Sequence, residues 1–293
     1  MCTAEGDEVC DLSRSSGLHV DLLDAERVRA AVGNAEPEAV YHLAARAHVG
    51  KSWREPEAYL RDNLAMTLHL LEAVRAEAPE AAVVVVGSSE LYGPPATLPV
   101  DESAPLRPQS PYAVSKASAD LLAGFYADAH GLRIVRARAF NHAGPAQEPI
   151  YAIASFARQL AAGLEAGEDP VRVVTGNPDV RRDYTDVRDV VRAYRSLAAG
   201  AAPGIYNVCS GRPASAAELV EALGRVAGVG VSHEVDPKLR RAHEVMEVRG
   251  SYERLHGATG WEPEIALEQT LADTVAWWRE EIRAGRAGAR VHE

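Results

Sequence analysis

Four short runs of small and β-branched apolar residues alternate with longer amphipathic stretches in the first 180 residues of the chain. The runs occupy residues 39–44, 81–89, 132–138 and 170–176, and the amphipathic stretches occupy residues 24–32, 56–78 and 111–130. Each run is almost continuously apolar, which is typical of parallel strands that are covered by helices on both faces. The pattern predicts an α/β protein built on an open parallel sheet.

The character of the sequence changes after residue 211. A helix is predicted over residues 215–228, a short strand over residues 230–235 and a terminal helix over residues 267–282. No internal repeat, low-complexity tract or long linker separates this tail from the rest. We therefore expect a smaller α/β unit that is closely joined to the main sheet.

The charge balance and the cysteines limit the classes of function and compartment. The chain has 31 basic and 42 acidic residues, and its net charge of −11 disfavours a nucleic acid or an anionic membrane as a partner. Cys2, Cys10 and Cys209 show no paired spacing, so neither a disulfide framework nor a metal site is predicted. The longest apolar run is too short for a bilayer and the first residues lack the pattern of a secretory signal, so we expect a cytoplasmic protein.

Small and polar residues follow three of the predicted strands. "AARAHVGKSW" follows the first strand, "GSSELYG" the second and "AFNHAGP" the third, and "SPYAVSK" comes one loop after the second. Ligands of open parallel sheets bind at the carboxyl ends of the strands, so these segments are expected to line one site.

Tyr112 and Lys116 stand one turn apart at the start of a predicted helix, which has Ser110 as its N-cap and Pro111 at its first position. A phenol with the ordinary pKa of about 10 is a poor acid–base group near neutral pH, and a nearby ammonium lowers that pKa. Lowering it by roughly 3 units requires about 4 kcal/mol of differential stabilisation, which a close ammonium together with a cationic nicotinamide could supply. Tyr112 is the predicted group that passes a proton to or from a hydroxyl or carbonyl, while a cofactor supplies the hydride.

Ser88 and Glu90 follow the second strand and extend this chemistry. The Ser88 hydroxyl can orient the same reacting oxygen, and Glu90 can serve as a second acid–base group. Each feature also has a plain structural alternative. The tyrosine and lysine can be an ordinary pair on a helix surface, and Ser88, Ser89 and Glu90 can be polar residues that merely end a strand.

Six motifs in order distinguish between these alternatives: "SSELYG", "SPYAVSK", "RAFNHAGP", "RRDYTDVRDVVRAY", "YNVCSG" and "TGWEP". Together they resemble the extended short-chain dehydrogenase/reductase family that acts on nucleotide sugars, and within it the GDP-4-keto-6-deoxy-mannose reductases. The resemblance implies a Rossmann-like, doubly wound parallel sheet with a small C-terminal α/β substrate domain. It places residues 1–140 and 171–212 in the dinucleotide-binding domain, and residues 141–170 and 213–293 in the substrate domain.

The same resemblance implies roles for individual residues. Tyr112 would be the acid–base catalyst, with Lys116 as its activator and a ribose ligand, Ser88 as the catalytic hydroxyl and Glu90 as an additional group. The cofactor would be NADP(H), with NAD(H) possible. Besides Tyr112 and Lys116, its contacts would be Ser13, Arg14, Asp21, Leu22, Ala44, Ala45 and Asn63. The nucleotide sugar would contact Ser89, Asn141, Arg182 and Arg241, with Arg240 as the alternative to Arg241.

The sequence departs from the family at its start. It has none of the opening strand, Gly-x-x-Gly-x-x-Gly turn and helix, so the first strand and the glycine-rich pyrophosphate cradle are expected to be absent. One way to close the resulting gap would place a strand at residues 7–12 beside residues 39–43.

Three functions remain open at this point: the reductase, a nucleotide-sugar 4,6-dehydratase or 4-epimerase, and a non-catalytic sugar-nucleotide-binding remnant. The family also implies a homodimer that pairs through the helices at residues 56–78 and 111–130.

Overall fold

The computed structural model describes residues 6, 8–13, 17–240 and 244–287. The strands are β1 (Ala39–His42), β2 (Ala82–Val86), β3 (Ile134–Ala139), β4 (Asn141–Ala143), β5 (Val171–Thr175), β6 (Arg181–Asp186), β7 (Gly204–Val208), β8 (Pro213–Ser215), β9 (Val231–Val235) and β10 (Glu247–Val248). The helices are α1 (Ala25–Ala35), α2 (Val49–Ser52), α3 (Pro56–Glu77), α4 (Pro111–His130), α5 (Ala152–Ala166), α6 (Val187–Gly200), α7 (Ala216–Ala227), α8 (Glu253–Thr259) and α9 (Leu267–Arg283).

The main sheet is parallel and has the strand order β1-β2-β3-β7. Its second strand is fully apolar, and Val83 and Val84 point to opposite faces without exposure to solvent. Helices α1, α3 and α4 cover the face of Val83, and α6 and α8 cover the face of Val84. The prediction of a Rossmann-like, doubly wound α/β fold is confirmed.

Helix α4 has the bounds that the sequence predicts. The Ser110 hydroxyl accepts a hydrogen bond from the backbone N–H of Ala113 at 3.1 Å, and Pro111 occupies the first turn. The helix ends at Gly131, whose φ of 69° is readily available to glycine. These two ends define the helix and therefore the positions of Tyr112 and Lys116 in its first two turns.

A second unit packs around β5 and β9, which form a two-stranded parallel sheet. Its core joins α5, α7 and α9 around Trp278, which is completely buried. Residues 171–175 therefore belong to this unit and not to the dinucleotide-binding part in which we expected them. An apolar run predicts a strand but not the sheet that it joins, which explains the difference.

A third group of short strands lies at the junction of the two units. Strand β6 pairs with β4 and β10 in parallel and with β8 in antiparallel fashion. The buried Asp183 carboxylate on β6 accepts hydrogen bonds from the backbone N–H groups of Ser210, Gly211 and Gly250. This carboxylate therefore ties the end of β7 to the segment that follows β10.

The N-terminal segment differs from the expected strand. Residues 8–13 form no strand, and a bridge joins Leu12 to Gly17. Val9 is 53% exposed, so the segment has little apolar burial to hold an added strand in place. Among the described residues, β1 is consequently an edge of the main sheet. No helix in the described ranges has both the length and the apolar character needed to cross a membrane.

Candidate active site

The candidate site lies where β2 ends and α4 begins. The backbone N–H of Gly87 donates to the carbonyl of Ala137 at 2.7 Å, which extends the sheet by one bond before the chain turns. Ser88 then caps a short 3₁₀ segment, Ser89–Leu91, by accepting a hydrogen bond from the backbone N–H of Glu90 at 3.2 Å. Ser88 and Ser89 are buried, whereas the Glu90 side chain is exposed to solvent.

The Tyr112 side chain is half-buried and lies near the Ser88 side chain. Burial raises the pKa of Tyr112 to about 12, the nearby Ser88 hydroxyl acts in the lowering direction, and the negative charge of Glu90 raises it further. The groups of the chain alone therefore leave this pKa above its ordinary value, whereas the prediction from the sequence relied on the Lys116 ammonium together with a cationic nicotinamide. Sequence spacing shows that two groups are near each other but does not show how deeply the phenol is buried.

Lys116 lies deeper than Tyr112, with 6% of its surface exposed, and its ammonium donates to the backbone carbonyl of Val86. Burial lowers the pKa of Lys116 to about 8, and the carboxylate of Asp120 opposes this change. The other two ammonium N–H groups have no hydrogen-bond partner among the described residues. A buried ammonium with two unused donors fits a ligand that offers neighbouring hydroxyl oxygens, such as a ribose.

Asn63 on α3 holds the loop that follows β1. Its Oδ1 accepts from the backbone N–H of Arg46 at 2.7 Å, and its Nδ2 donates to the Ser115 hydroxyl at 2.8 Å and to the carbonyl of Arg46 at 3.2 Å. In this loop Ala44 is exposed and Ala45 is partly buried. Asn63 thus joins the loop to α4, which the sequence pattern did not reveal because Ser115 is 52 residues away.

The remaining residues predicted to contact the cofactor lie before α1. The Asp21 carboxylate accepts a hydrogen bond from the backbone N–H of Leu23 at 3.0 Å, and the carbonyl of Leu22 bonds to the His69 ring at 2.9 Å. Ser13 is partly buried, and Arg14 lies outside the described residues. The described residues contain no glycine-rich turn that would cradle a pyrophosphate.

The residues predicted to contact the substrate come from β4 and β6. Asn141 is exposed at the start of β4 and pairs in register with Tyr184, two residues beyond Arg182. The Arg182 guanidinium donates to the carbonyls of Arg181 and Val245, both at 2.8 Å. Arg240 is exposed after the 3₁₀ segment Pro237–Leu239, and Arg241 lies outside the described residues.

Tyr59 and Tyr151 are near enough to Tyr112 to influence its pKa, and the sequence did not predict them. Tyr59 is buried and donates its hydroxyl hydrogen to the carbonyl of His48 at 2.8 Å, and Tyr151 stands partly exposed at the N-cap of α5. Both contribute charge interactions that raise the pKa of Tyr112. No spacing pattern in the sequence joins the three positions, so only the folded chain identifies them.

Comparison with known proteins places these observations in a family. The family model for GDP-mannose 4,6 dehydratase matches residues 6–274. The chain belongs to this family. The prediction of an extended short-chain dehydrogenase/reductase is thereby confirmed, because the matching relatives and structures are epimerases, dehydratases and reductases of this kind.

Relatives within the GDP-mannose 4,6-dehydratase family include several enzyme types. The chain is 40% identical over 250 residues to the GDP-6-deoxy-D-mannose reductase of Pseudomonas aeruginosa, covering 84% of this chain and 82% of that protein. It is 29% identical over 288 residues to the GDP-mannose 4,6-dehydratase of Yersinia enterocolitica, and the match covers 87% of this chain and 77% of that protein.

The solved structure of RMD from Pseudomonas aeruginosa complexed with NADPH superposes with a TM-score of 0.83 at 38% identity, and covers 89% of this chain and 86% of that chain. The Thermus thermophilus UDP-glucose 4-epimerase complex with NAD superposes with a TM-score of 0.82 at 30% identity. This match covers 95% of this chain and 93% of that chain.

Proposed function

We propose that the protein is an NADP(H)-dependent reductase of a GDP-linked 4-keto-6-deoxy sugar, with NAD(H) as the other possible cofactor. The observation that carries the proposal is the juxtaposition of Ser88 and Tyr112, with the buried ammonium of Lys116 one helical turn from Tyr112. Relatives that include a GDP-6-deoxy-D-mannose reductase and a structure with NADPH support the choice of substrate and cofactor.

Tyr112 is protonated at neutral pH, which is the form that can donate a proton to a carbonyl oxygen. Burial disfavours the phenolate that remains after the transfer, so positive charge beside the phenol is needed to stabilise it. Tyr112 would protonate the C4 oxygen of the keto sugar, and Ser88 would hold that oxygen by a hydrogen bond. The dinucleotide supplies the hydride when it is bound. Lys116 would bind its ribose through the two N–H groups that the described residues leave unused.

Residues on β4 and β6 are proposed to bind the nucleotide end of the substrate. Asn141 is exposed on β4, and Arg182 stands on the neighbouring strand with its guanidinium fixed by two backbone carbonyls. A planar guanidinium can pair with two phosphate oxygens, which suits a diphosphate. Ser89 and Arg241 complete the proposed substrate contacts.

A 4,6-dehydratase is the second candidate, because of Glu90. Its exposed carboxylate is close enough to Tyr112 to raise the pKa of the phenol. Elimination of water across C5–C6 of a hexose needs an additional acid–base group, and a carboxylate in this place could supply it. Glu90→Gln would abolish turnover by a dehydratase but leave a reductase largely active.

The experiment that separates the candidates supplies two substrates in turn. With GDP-4-keto-6-deoxy-mannose, a reductase consumes the sugar and oxidises one NADPH per product. With GDP-mannose, a dehydratase forms the keto sugar without net oxidation of the cofactor. If the protein forms the keto sugar from GDP-mannose but does not reduce GDP-4-keto-6-deoxy-mannose, it is a dehydratase and our proposal is wrong. Binding of GDP without either reaction would support a non-catalytic remnant.

We also propose a homodimer that forms through an apolar stripe on α3 and α4, defined as Leu60, Leu64, Leu68, Leu121 and Phe125. These side chains are between 37% and 59% exposed and recur at helical spacing on two helices that pack together. Sedimentation equilibrium should show a dimer, and the double substitution Leu121→Glu and Phe125→Glu should shift the mass to a monomer. A monomeric parent protein would contradict this proposal.

We propose that the protein acts in the cytoplasm. Cys10 and Cys209 are free thiols, and a reducing compartment suits a chain without disulfides among its described residues. Fractionation of cells that express the chain should recover it with cytoplasmic markers. Recovery with the membrane or with secreted protein would contradict this proposal.

A further inference from the structure

Tyr92 is buried four residues after Ser88, and its hydroxyl takes part in two hydrogen bonds. It donates to Oδ1 of Asn207 on β7 at 2.7 Å and accepts from Nη1 of Arg138 on β3 at 3.1 Å. The Arg138 guanidinium also lies 5.1 Å from the centre of the Tyr92 ring. The segment that carries Ser88 is therefore attached to the sheet through one phenol.

Arg138 connects this phenol to the helix that carries Tyr112 and Lys116. Its Nε and Nη2 donate to the two carboxylate oxygens of Asp120 on α4, at 3.0 and 2.8 Å. The side chains of Arg138 and Asp120 are only 3% and 1% exposed. Asp120 stands four residues after Lys116, just as Tyr92 stands four residues after Ser88, so one buried chain joins both elements of the site.

Stability alone gives a weak reason for this arrangement. Placing a carboxylate and a guanidinium in the interior costs free energy of solvation, and such pairs contribute on average little to stability compared with apolar packing. A planar guanidinium with several fixed donors can, however, set the distance between an acid on one element and a hydroxyl on another. The geometry therefore suits a positioning role.

We propose that Tyr92, Arg138 and Asp120 are positioning residues that hold the Ser88 side chain beside Tyr112. The expected effect on turnover rests on the proposed function, whereas the expected effect on the position of Ser88 does not. None of the three side chains needs to touch the substrate. Loss of the Tyr92 hydroxyl should release the Ser88 segment while α4 stays in place.

Tyr92→Phe tests the proposal against Tyr206→Phe as a matched control. Tyr206 is also buried, donates its hydroxyl hydrogen to the carbonyl of Ala202 at 3.0 Å, and has the Arg254 guanidinium 5.2 Å from its ring centre. A merely structural role predicts that the two variants differ from the parent only in thermal stability. The positioning role predicts a change at Tyr112 in the first variant alone.

The first readout is the nuclear magnetic resonance signal of Tyr112, labelled with carbon-13 at Cζ and recorded at one neutral pH. Ser88→Ala gives the reference position for a phenol without its serine partner. The Tyr92→Phe signal should move toward that reference, and the Tyr206→Phe signal should stay at the parent position. This measurement requires no turnover, so it remains decisive if the proposed reaction is wrong.

The second readout is turnover with GDP-4-keto-6-deoxy-mannose and NADPH. We expect Tyr92→Phe to lower kcat about ten- to a hundredfold with little change in KM, as a small misplacement of a reacting group does. Should Tyr92→Phe fail to fold, Arg138→Lys replaces it, since a lysine keeps a cation beside Asp120 but cannot bridge to Tyr92. An unmoved Tyr112 signal in the folded variant would overturn the proposal.

Discussion

Lys116 and Asp120 lie one turn apart on α4, and both side chains are almost completely buried. Burial lowers the pKa of the Lys116 ammonium to about 8, and the Asp120 carboxylate acts in the opposite direction. His42 on β1 is the other titratable group that senses the Lys116 charge, and burial lowers its pKa to about 3. Lys116 is thus close to losing its proton near neutral pH, and Asp120 helps to retain it.

Asp120→Asn should move the alkaline limb of the reaction to lower pH. In the parent protein we expect kcat/KM for the cofactor to fall as the pH rises through about 8, because a neutral amine is a weaker donor to a ribose. Loss of the neighbouring carboxylate lowers the pKa of Lys116 further, so the fall should begin earlier. An unchanged midpoint in the pH profile would show that Asp120 does not influence Lys116.

Lys116→Met should remove a part of the pH dependence of stability. The folded pKa of Lys116, about 8, lies below the ordinary value of 10.5, so the unfolded chain binds more protons between these two pH values. The free energy of unfolding therefore contains a contribution that rises across this window, by roughly 3 kcal/mol in total. Urea unfolding at several pH values should show that rise in the parent and in Lys238→Met, an exposed control, but not in Lys116→Met.

Tyr112→Phe should lower the rate of reduction by about 10²–10⁴, the usual worth of a positioned acid–base group. The phenyl ring keeps the packing around the site, so circular dichroism and the melting temperature should change little. Steady-state kinetics with a keto-sugar nucleotide and NADPH provides the measurement. A rate within a few-fold of that of the parent would remove Tyr112 from the chemistry.

Asn63→Ala should loosen the loop at Ala44 and Ala45 without touching the acid–base groups. The substitution leaves the backbone N–H and carbonyl of Arg46 without their partner, and a lost buried hydrogen bond costs about 1–3 kcal/mol. We expect a higher KM for the dinucleotide, a nearly unchanged kcat and a lower melting temperature. A lower kcat with unchanged KM would place Asn63 in the chemistry instead.

Arg14→Ala should reduce the preference for NADPH over NADH. An acidic residue at the end of the second strand of this fold selects NAD, and the sequence aligns the neutral Ser13, followed by Arg14, with that position, although residues 8–13 form no strand here. A neutral residue followed by a cation should favour a 2′-phosphate. The ratio of kcat/KM for the two cofactors gives the measurement. A parent protein that clearly prefers NADH, with no effect of the substitution, would contradict the assignment.

Local patterns predicted α4 well, because its N-cap and its proline mark one end of the helix and its terminal glycine marks the other, each by a signal that is local in the sequence. They also predicted each central strand, since parallel strands buried on both faces have an unmistakable composition. The sequence could not show that β5 joins β9, because strand pairing depends on contacts about 60 residues apart.

The chemistry of the site was harder to predict than its position. Burial sets the pKa values of Tyr112 and Lys116, and burial depends on the whole fold. The link between Tyr92, Arg138 and Asp120 has no local signature, because its members are separated by 46 and 18 residues. In its own helix or strand, each of the three residues has no sequence feature that distinguishes it from an ordinary core or surface residue.

The small residues of α4 limit how far this helix can diverge during evolution. A methyl group added to Gly124 would come within 2.7 Å of the Arg136 guanidinium, which would have to move aside, and Ala113 and Ala123 are completely buried. One side of the helix presents Tyr112, and the opposite side carries Leu121 and Phe125 of the apolar stripe. Substitutions in this helix should therefore be tolerated mainly at its solvent-facing positions.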